Sequence, residues 1–326
     1  MNSWGDIFRV TIWGESHGKQ VGVSIDGVPA GIALSEEDFI ADLERRRAGA
    51  AGTTPRKESD IPHIVSGLYE GYTTGSPLTI EFLNENTRSG DYKNLISHPR
   101  PSHADWVAQQ KWQGYNDPRG GGHFSGRITL GLVAAGVVAK KILGQAVEFS
   151  TDIIEIGGER NKERFAEIIE QARMAQDSVG GVVECSVKGI KVGLGEPFFD
   201  SAESLIAHLL FSVPAVKGIE FGAGFEAARK RGSQNNDCII SADGKTATNH
   251  AGGIVGGITN GNDIVVRAAI KPTASISSEQ QTFNFETGAV EPLVIKGRHD
   301  VCIALRAAVV VESAIAIALA ELKLRA

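Results

Sequence analysis

Four short segments combine glycine or proline with groups that can move a proton or hold an anion: GESHG at 14–18, RPSHAD at 100–105, RGGGHFSGR at 119–127 and KGRHD at 296–300. Histidine exchanges a proton near neutral pH, and arginine grips a carboxylate or phosphate through paired N–H bonds. Together they suit proton transfer beside an anionic substrate. A lone loop histidine is usually a surface polar residue; four such segments in one chain are harder to dismiss. RGGGHFSGR also runs straight into an apolar stretch that reads as a helix. The free N–H groups and positive dipole end there favour a phosphate or an anionic cofactor. A run of three arginines, Arg45, Arg46 and Arg47, closes an earlier amphipathic stretch. A helix C-terminus accommodates one or two cations. Three in a row point around different faces, so at least one must leave the solvent or bind something anionic.

Several familiar chemistries find no support. The P-loop spacing is absent, and the nearest dinucleotide-like string, GAGFEA at 222–227, lacks a strand-turn-helix setting. Ser16 and His17 are sequence neighbours, which seldom face each other as nucleophile and base, so a hydrolase triad is not indicated. The carboxylates near the glycine loops form no D-x-D or H-E-x-x-H set, and no metal is expected. Cys185, Cys238 and Cys302 are odd in number, far apart and in no C-x-x-C spacing, which reads as buried free thiols in a reducing compartment. A net charge of −6 argues against a general binder of nucleic acid or anionic membrane, so any basic patch must be local. The opening MNSWGDIFRV shows no secretory leader. The apolar stretch 302–320 is interrupted by Arg306 and Glu312 and reads as a buried helix, not a membrane span. A cytoplasmic location follows as the expectation.

The elements that must position these loops are legible in outline. Ile7 to Trp13 and Val21 to Ile25 are β-prone on either side of the polar tip GESHGKQ. Ser35 to Arg47 opens on a capping-box-like Ser-Glu-Glu-Asp and puts Phe39, Ile40 and Leu43 on one helical face. Strands are predicted at His63 to Ser66 and Leu78 to Phe82, then a long polar segment with almost no core pattern. Ile128 to Leu143 is apolar nearly all round, as suits a helix buried on more than one side. Further helices are predicted at Asn161 to Gln176, Ser201 to Phe211 and the C-terminus, with strands at Val182 to Lys188, near Asp237 to Ile240, and at Asp263 to Ile270. No linker or charge block divides the 326 residues, so one α/β unit is expected. The 39 glycines cluster at 119–122 and 251–261, where backbone must turn with positive φ or approach a ligand closely.

These segments resemble, in order along nearly the whole chain, the motifs of the chorismate synthase family: FRVTIWGESHG, RRR with TTPRKES, RPSHADW, RGGGHFSGR, GSQN with NHAGGIVGGI, KPTAS and KGRHD. The resemblance implies a single compact three-layer β-α-β sandwich of the α/β (α+β) class with two pseudo-related halves and no Rossmann fold, assembled as a homotetramer. It implies a lyase that eliminates phosphate from 5-enolpyruvylshikimate 3-phosphate in a 1,4-anti sense to give chorismate, on the shikimate route to aromatic amino acids, with reduced FMN required. By resemblance His17 protonates the departing phosphate and His103 stabilises or protonates the reduced flavin. Ser16, Ser125 and Asp300 match residues placed around flavin N5. Arg46, Arg100, Arg127 and Arg298, with Arg45 a weaker candidate, match substrate-binding arginines. The flavin positions are Arg46, His123, Phe124, Ser125, Pro214, Ala215, Gly256, Lys271, Pro272, Thr273, Ala274, Ser275 and Arg298. HFSGR stands where many members have RSSAR. AGAAGTT stands where an arginine often follows RRR, so NADPH is expected to act only indirectly, through an external flavin reductant. Two other readings remain: an FMN-dependent oxidoreductase acting on a small anion, and an anion-binding module.

Overall fold

The computed structural model describes residues 1–49, 52–54, 58–86, 94–295 and 299–326. In chain order the strands are β1 (Ser3–Trp4), β2 (Arg9–Gly14), β3 (Gln20–Asp26), β4 (His63–Ser66), β5 (Leu68–Tyr69), β6 (Tyr72–Thr73), β7 (Leu78–Leu83), β8 (Glu148–Ile156), β9 (Gly181–Lys188), β10 (Val216–Phe221), β11 (Ile254–Val255), β12 (Ile258–Thr259), β13 (Ile264–Ile270), β14 (Gln280–Asn284) and β15 (Ala289–Leu293). The helices are α1 (Ile40–Arg46), α2 (Asp105–Lys111), α3 (Thr129–Leu143), α4 (Phe165–Met174), α5 (Ala202–Ser212), α6 (Gly232–Asn235) and α7 (Ala304–Arg325).

Alternation builds the first sheet, ordered β1-β2-β3-β7-β4. On β3 every second residue, Val21, Val23 and Ile25, is wholly buried, and each is paired across to Phe82, Ile80 and Leu78 of β7, also wholly buried. One face of the sheet is therefore a continuous apolar surface that must be covered. Helix α3 covers it, and approaches closely because Gly131 meets Ile12, Gly22 and Val23 where a Cβ would be crowded at 2.9 Å. The second sheet, ordered β10-β13-β9-β8, presents Val183, Cys185 and Val187 opposite Ala268, Val266 and Ile264 in the same manner, and α7 lies on it. The two helices then pack on each other, with Gly136 against Ser313 so closely that a Cβ would lie 2.4 Å from the serine Cβ. The result is sheet, helices, sheet.

The pseudo-related halves are explicit in the topology. β2-β3-α1-β4-β7-α3 is followed by β8-β9-α5-β10-β13-α7, and the strand orders β2-β3-β7-β4 and β8-β9-β13-β10 correspond one for one. Within both sheets neighbouring strands run antiparallel, so the sheets are not of Rossmann type.

The charges that interrupt the apolar C-terminal stretch have assigned partners. Glu312, inside α7, takes Arg45 of α1 at 2.7 Å and Lys140 of α3 at 2.5 Å. Glu321, wholly buried, accepts the backbone N–H groups of Asp6, Ile7 and Phe8 and so ties the N-terminal segment to the last turns of α7. Two expectations change. Asp237 to Ile240 is not a strand, because the Asp237 carboxylate accepts the N–H groups of His250 and Ala251 and folds the segment into a loop. The helix from Ser35 begins as a 3-10 turn, Glu36–Phe39, with the Asp38 side chain accepting the Ser35 N–H at 2.8 Å, before α1 continues.

Candidate active site

At one end of the helical layer the loops from both halves enclose a cavity of about 800 Å³. Its wall is formed by the C-terminus of α1, the loop before α2, the turn before α3, the N-termini of α3 and α7, and the segments at Pro214–Lys217 and Lys271–Ser275. The glycine run makes this possible. Gly120, Gly121 and Gly122 take φ of 61°, 82° and 54°, a left-handed path that side-chain-bearing residues avoid. A Cβ on Gly120 would lie 2.7 Å from His17 Nε2 and 2.9 Å from Ser16 Oγ, whereas one on Gly121 would make ordinary contact, 3.5 Å, with His103. The run is thus threaded between the two histidine loops. Ser16 is wholly buried and His17 nearly so, immediately behind Gly120, which lines the cavity while they do not.

The three adjacent arginines have three fates. Arg45 turns away to Asp42 and Glu312 and does not line the cavity, which corrects its assignment to the substrate: the buried Glu312 needs neutralising, and Arg45 does this together with Lys140. Arg47 stays at the rim and donates to the Ser59 carbonyl. Arg46 is buried against the cavity, its Nε donating to Thr129 Oγ1 at 2.9 Å and its Nη2 to the Gly126 carbonyl at 2.7 Å. Among the described residues its Nη1 has no hydrogen-bond partner, and the Asp60 carboxylate stands 3.7 Å away. Burial, reinforced by Arg306, pulls its pKa down to about 9 despite Asp60.

Arg100 and Arg127 line the cavity but are already engaged. Arg127 donates to Asp60 at 2.8 Å, to the Leu83 carbonyl and to Asn84. Arg100 holds Asp105 through Nε and Nη2 at 2.7 and 2.6 Å and donates to Ser275 Oγ at 2.9 Å. Arg298 lies outside the described residues.

His103 Nδ1 sits 2.7 Å from Asp105 Oδ1. Burial pushes the imidazole below its ordinary pKa and the charges of Arg100 and Lys271 add to this, whereas the Asp105 hydrogen bond works against it. Burial alone would raise the Asp105 pKa, but the hydrogen bonds from Arg100 and His103 outweigh it and hold the carboxyl well below its usual range. The Asp300 carboxylate accepts the Thr54 N–H at 2.9 Å and Arg306 Nη1 at 3.0 Å, so it is fixed at the cavity wall by a residue of α7.

The expected flavin positions among the described residues assemble in the same cavity with one exception. His123 donates or accepts at the Gly14 carbonyl through Nδ1 at 2.8 Å; since a carbonyl only accepts, Nδ1 carries the proton and Nε2 is left free to accept. Phe124 leans on Trp112 with ring centres 5.6 Å apart, and the Ser125 hydroxyl accepts the Arg127 N–H. Ala215 takes φ of 75°, a strained left-handed conformation for alanine, beside Pro214. Lys271 donates to the Ser102 carbonyl at 3.0 Å, and burial, with Lys217 beside it, lowers its pKa. Pro272, Thr273, Ala274 and Ser275 follow along the wall, and the buried Thr273 Oγ1 has no hydrogen-bond partner. Gly256 corrects the expectation: it tips the β11–β12 hairpin with open space around it, outside the cavity, because Thr259 and Gly257 dock that hairpin onto residues 191–202.

Sequence reasoning assigned no role to Asp60, Asp105, Lys217 or Arg306. Asp105 stood inside RPSHAD, and Arg306 broke an apolar run; both signals were visible. Asp60 has none, because only the fold brings its left-handed turn (φ of 49°) between Arg46 and Arg127. Among the described residues seven lysine and arginine side chains line the cavity against three carboxylates, Glu58, Asp60 and Asp300, and no group of metal-binding side chains is found.

A two-sheet sandwich whose halves close over a cation-rich, histidine-bearing cavity has the form of an enzyme acting on a small molecule. A family model for chorismate synthase matches residues 8–324. A chorismate synthase of Chitinophaga pinensis is 60% identical over 324 residues, covering 99% of this chain and 97% of that one. One of Korarchaeum cryptofilum is 45% identical over 349 residues, 97% of each. A crystal structure of chorismate synthase superimposes with a TM-score of 0.75 at 28% identity, covering 99% of this chain and 93% of the other. The chain belongs to the chorismate synthase family.

Proposed function

We propose that this chain catalyses the 1,4-anti elimination of phosphate from 5-enolpyruvylshikimate 3-phosphate to give chorismate, with reduced FMN as an essential cofactor. The observation that carries this reading is the surplus of cations around one cavity, together with a buried arginine, Arg46, whose Nη1 has no hydrogen-bond partner. A substrate with two carboxylates and a phosphate, alongside a cofactor with a phosphate of its own, matches that surplus.

The residues present also fit the flavin. Thr273 Oγ1 is a second buried polar atom without a partner among the described residues, His123 has Nε2 as its acceptor nitrogen, and Ala215 turns its backbone in a strained conformation at the wall. His123, Phe124, Ser125, Pro214, Ala215 and Lys271 to Ser275 would hold it. When bound, reduced FMN would supply the electron density that lets an allylic phosphate leave without net oxidation.

The chain's own residues supply the rest. Arg46, Lys217 and Lys271 bind and neutralise anionic oxygens, and Arg100 and Arg127 add positive potential from fixed positions. His17 delivers a proton to the departing phosphate. Asp300, held by Thr54 and Arg306, with Ser16 and Ser125, receives the proton lost from substrate C6. His103 would hold an exchangeable proton beside the reduced cofactor.

The chain is further proposed to work as a cytoplasmic homotetramer supplied by an external flavin reductant, with NADPH acting only through that reductant. Its acidic net charge disfavours nucleic acid as a partner, and no helix among the described residues is long and apolar enough to cross a membrane. The test is anaerobic incubation of the enzyme with this substrate: phosphate is released with reduced FMN and not with oxidised FMN. Release that ignores the flavin's redox state overturns the proposal.

A further inference from the structure

His103 Nδ1 faces two neighbours that ask for opposite protonation. Asp105 Oδ1, 2.7 Å away, accepts only; Arg100 Nη2, 3.0 Å away, donates only. One ring nitrogen cannot donate to the first and accept from the second. If Nδ1 were bare, its lone pair would face an ionised carboxylate at 2.7 Å, a short repulsive contact in a buried place. If it carries the proton, it makes a charge-assisted hydrogen bond, and the only unfavourable approach is the longer one to Arg100. Arg100 loses little, since Nη2 already donates to Asp105 at 2.6 Å and Nη1 to Ser275.

We propose that Asp105 is the positioning residue of His103, holding its imidazole as the Nδ1–H tautomer and leaving Nε2 as the ring's only lone pair. Arg100 fixes Asp105 in turn through three contacts, its backbone N–H at 3.1 Å included. His103 lines the cavity, so in this state it is an acceptor. It takes a proton at Nε2 from an N–H or O–H of a bound molecule, keeps the proton on Nδ1, and sets the resulting imidazolium charge against Asp105; the same proton returns from Nε2 when the step reverses. The groups facing the ring are Asp105, Arg100 and Lys271, two cations and one anion. Removal of the anion therefore lowers the histidine's proton affinity further.

The destination of that proton rests on the functional reading above; the tautomer does not, and is measured without substrate or flavin. Full-length protein labelled with 15N-histidine is examined at pH 8 by long-range proton–nitrogen correlation, with His103→Gln used for assignment. The expected result is a pyrrole-like Nδ1 and a pyridine-like Nε2 for His103. In Asp105→Asn the pattern reverses or mixes, and turnover falls roughly 100-fold with little change in KM, as for lost outer-shell support of a histidine. The acid limb of the pH–rate profile shifts to lower pH. A bare Nδ1 in the native protein overturns the proposal even if Asp105→Asn does not fold, and so does an unchanged tautomer in a folded Asp105→Asn. An Nδ1–H tautomer in a protein that releases no phosphate leaves this assignment standing and removes the functional one.

Discussion

Gly120 and Gly121 offer a matched pair of perturbations at adjacent positions. Both are left-handed, at φ of 61° and 82°, so an alanine at either costs about 1–2 kcal/mol of backbone strain. They differ in what the new methyl meets. At 120 it would lie 2.7 Å from His17 Nε2, 2.8 Å from Cδ2 and 2.9 Å from Ser16 Oγ; at 121 its nearest contacts are 3.5 Å. His17 and Ser16 are buried and cannot swing into solvent, so relief of the first clash requires about an ångström of movement in the imidazole or the loop. Misplacement on that scale costs on the order of 100-fold in rate. We therefore expect Gly120→Ala and Gly121→Ala to lose similar stability in urea unfolding, about 1–2 kcal/mol each. Only Gly120→Ala should lose roughly 100-fold in anaerobic phosphate release. Wild-type turnover in a folded Gly120→Ala, or an equal loss in Gly121→Ala, would refute the placement of His17 at the reacting centre.

Glu312 tests the buried charge network that replaces Arg45's expected ligand role. Burial would raise its pKa, but Arg45 and Lys140 overcome this and bring it from 4.5 to about 2. A depressed carboxylate stabilises the fold fully above its unfolded pKa and loses that contribution as pH falls through the folded one, so the window is about pH 4.5 down to 2. The shift corresponds to about 3 kcal/mol, and Glu312→Gln should be less stable by that order at pH 7, with the gap closing through the same window in urea titrations. Asp300→Asn should fold normally yet release phosphate at a small fraction of the wild-type rate; full activity would mean the C6 proton goes elsewhere. Cys185 is pushed up to about 12 by burial and Cys302 is raised for the same reason, whereas Cys238 is exposed. A thiol reagent should modify one cysteine in the native enzyme and three after denaturation.

Strands with an alternating buried face were readable from the sequence: β3, β7, β9 and β13 fall where they were expected, and so does the short β4, whose faces do not alternate. β8 and β10 were not, because EFSTDIIEI and VKGIEF interleave charges or glycine with apolar residues on half-exposed strands. α2 escaped because it is only seven residues of DWVAQQK at the end of a polar loop, with little buried surface to give it a periodic stripe. The site showed a similar division. Residues that announce chemistry by type and motif, such as His103, Arg46 and Asp300, line the cavity. Arg45 was misplaced because neighbouring arginines look alike in sequence and only the tertiary position of Glu312 separates them. Asp60 is a carboxylate in a plain ESD string, and its partner Arg127 lies 67 residues further along the chain.

The central claim is elimination without net oxidation, and one anaerobic experiment addresses it most directly. Reduced FMN and the enzyme are mixed with 5-enolpyruvylshikimate 3-phosphate, and phosphate release is followed together with flavin absorbance. The account predicts many equivalents of phosphate per flavin, with the flavin's reduced spectrum restored at the end. Oxidation of one flavin for each phosphate released would contradict it and favour an oxidoreductase working in the same cavity.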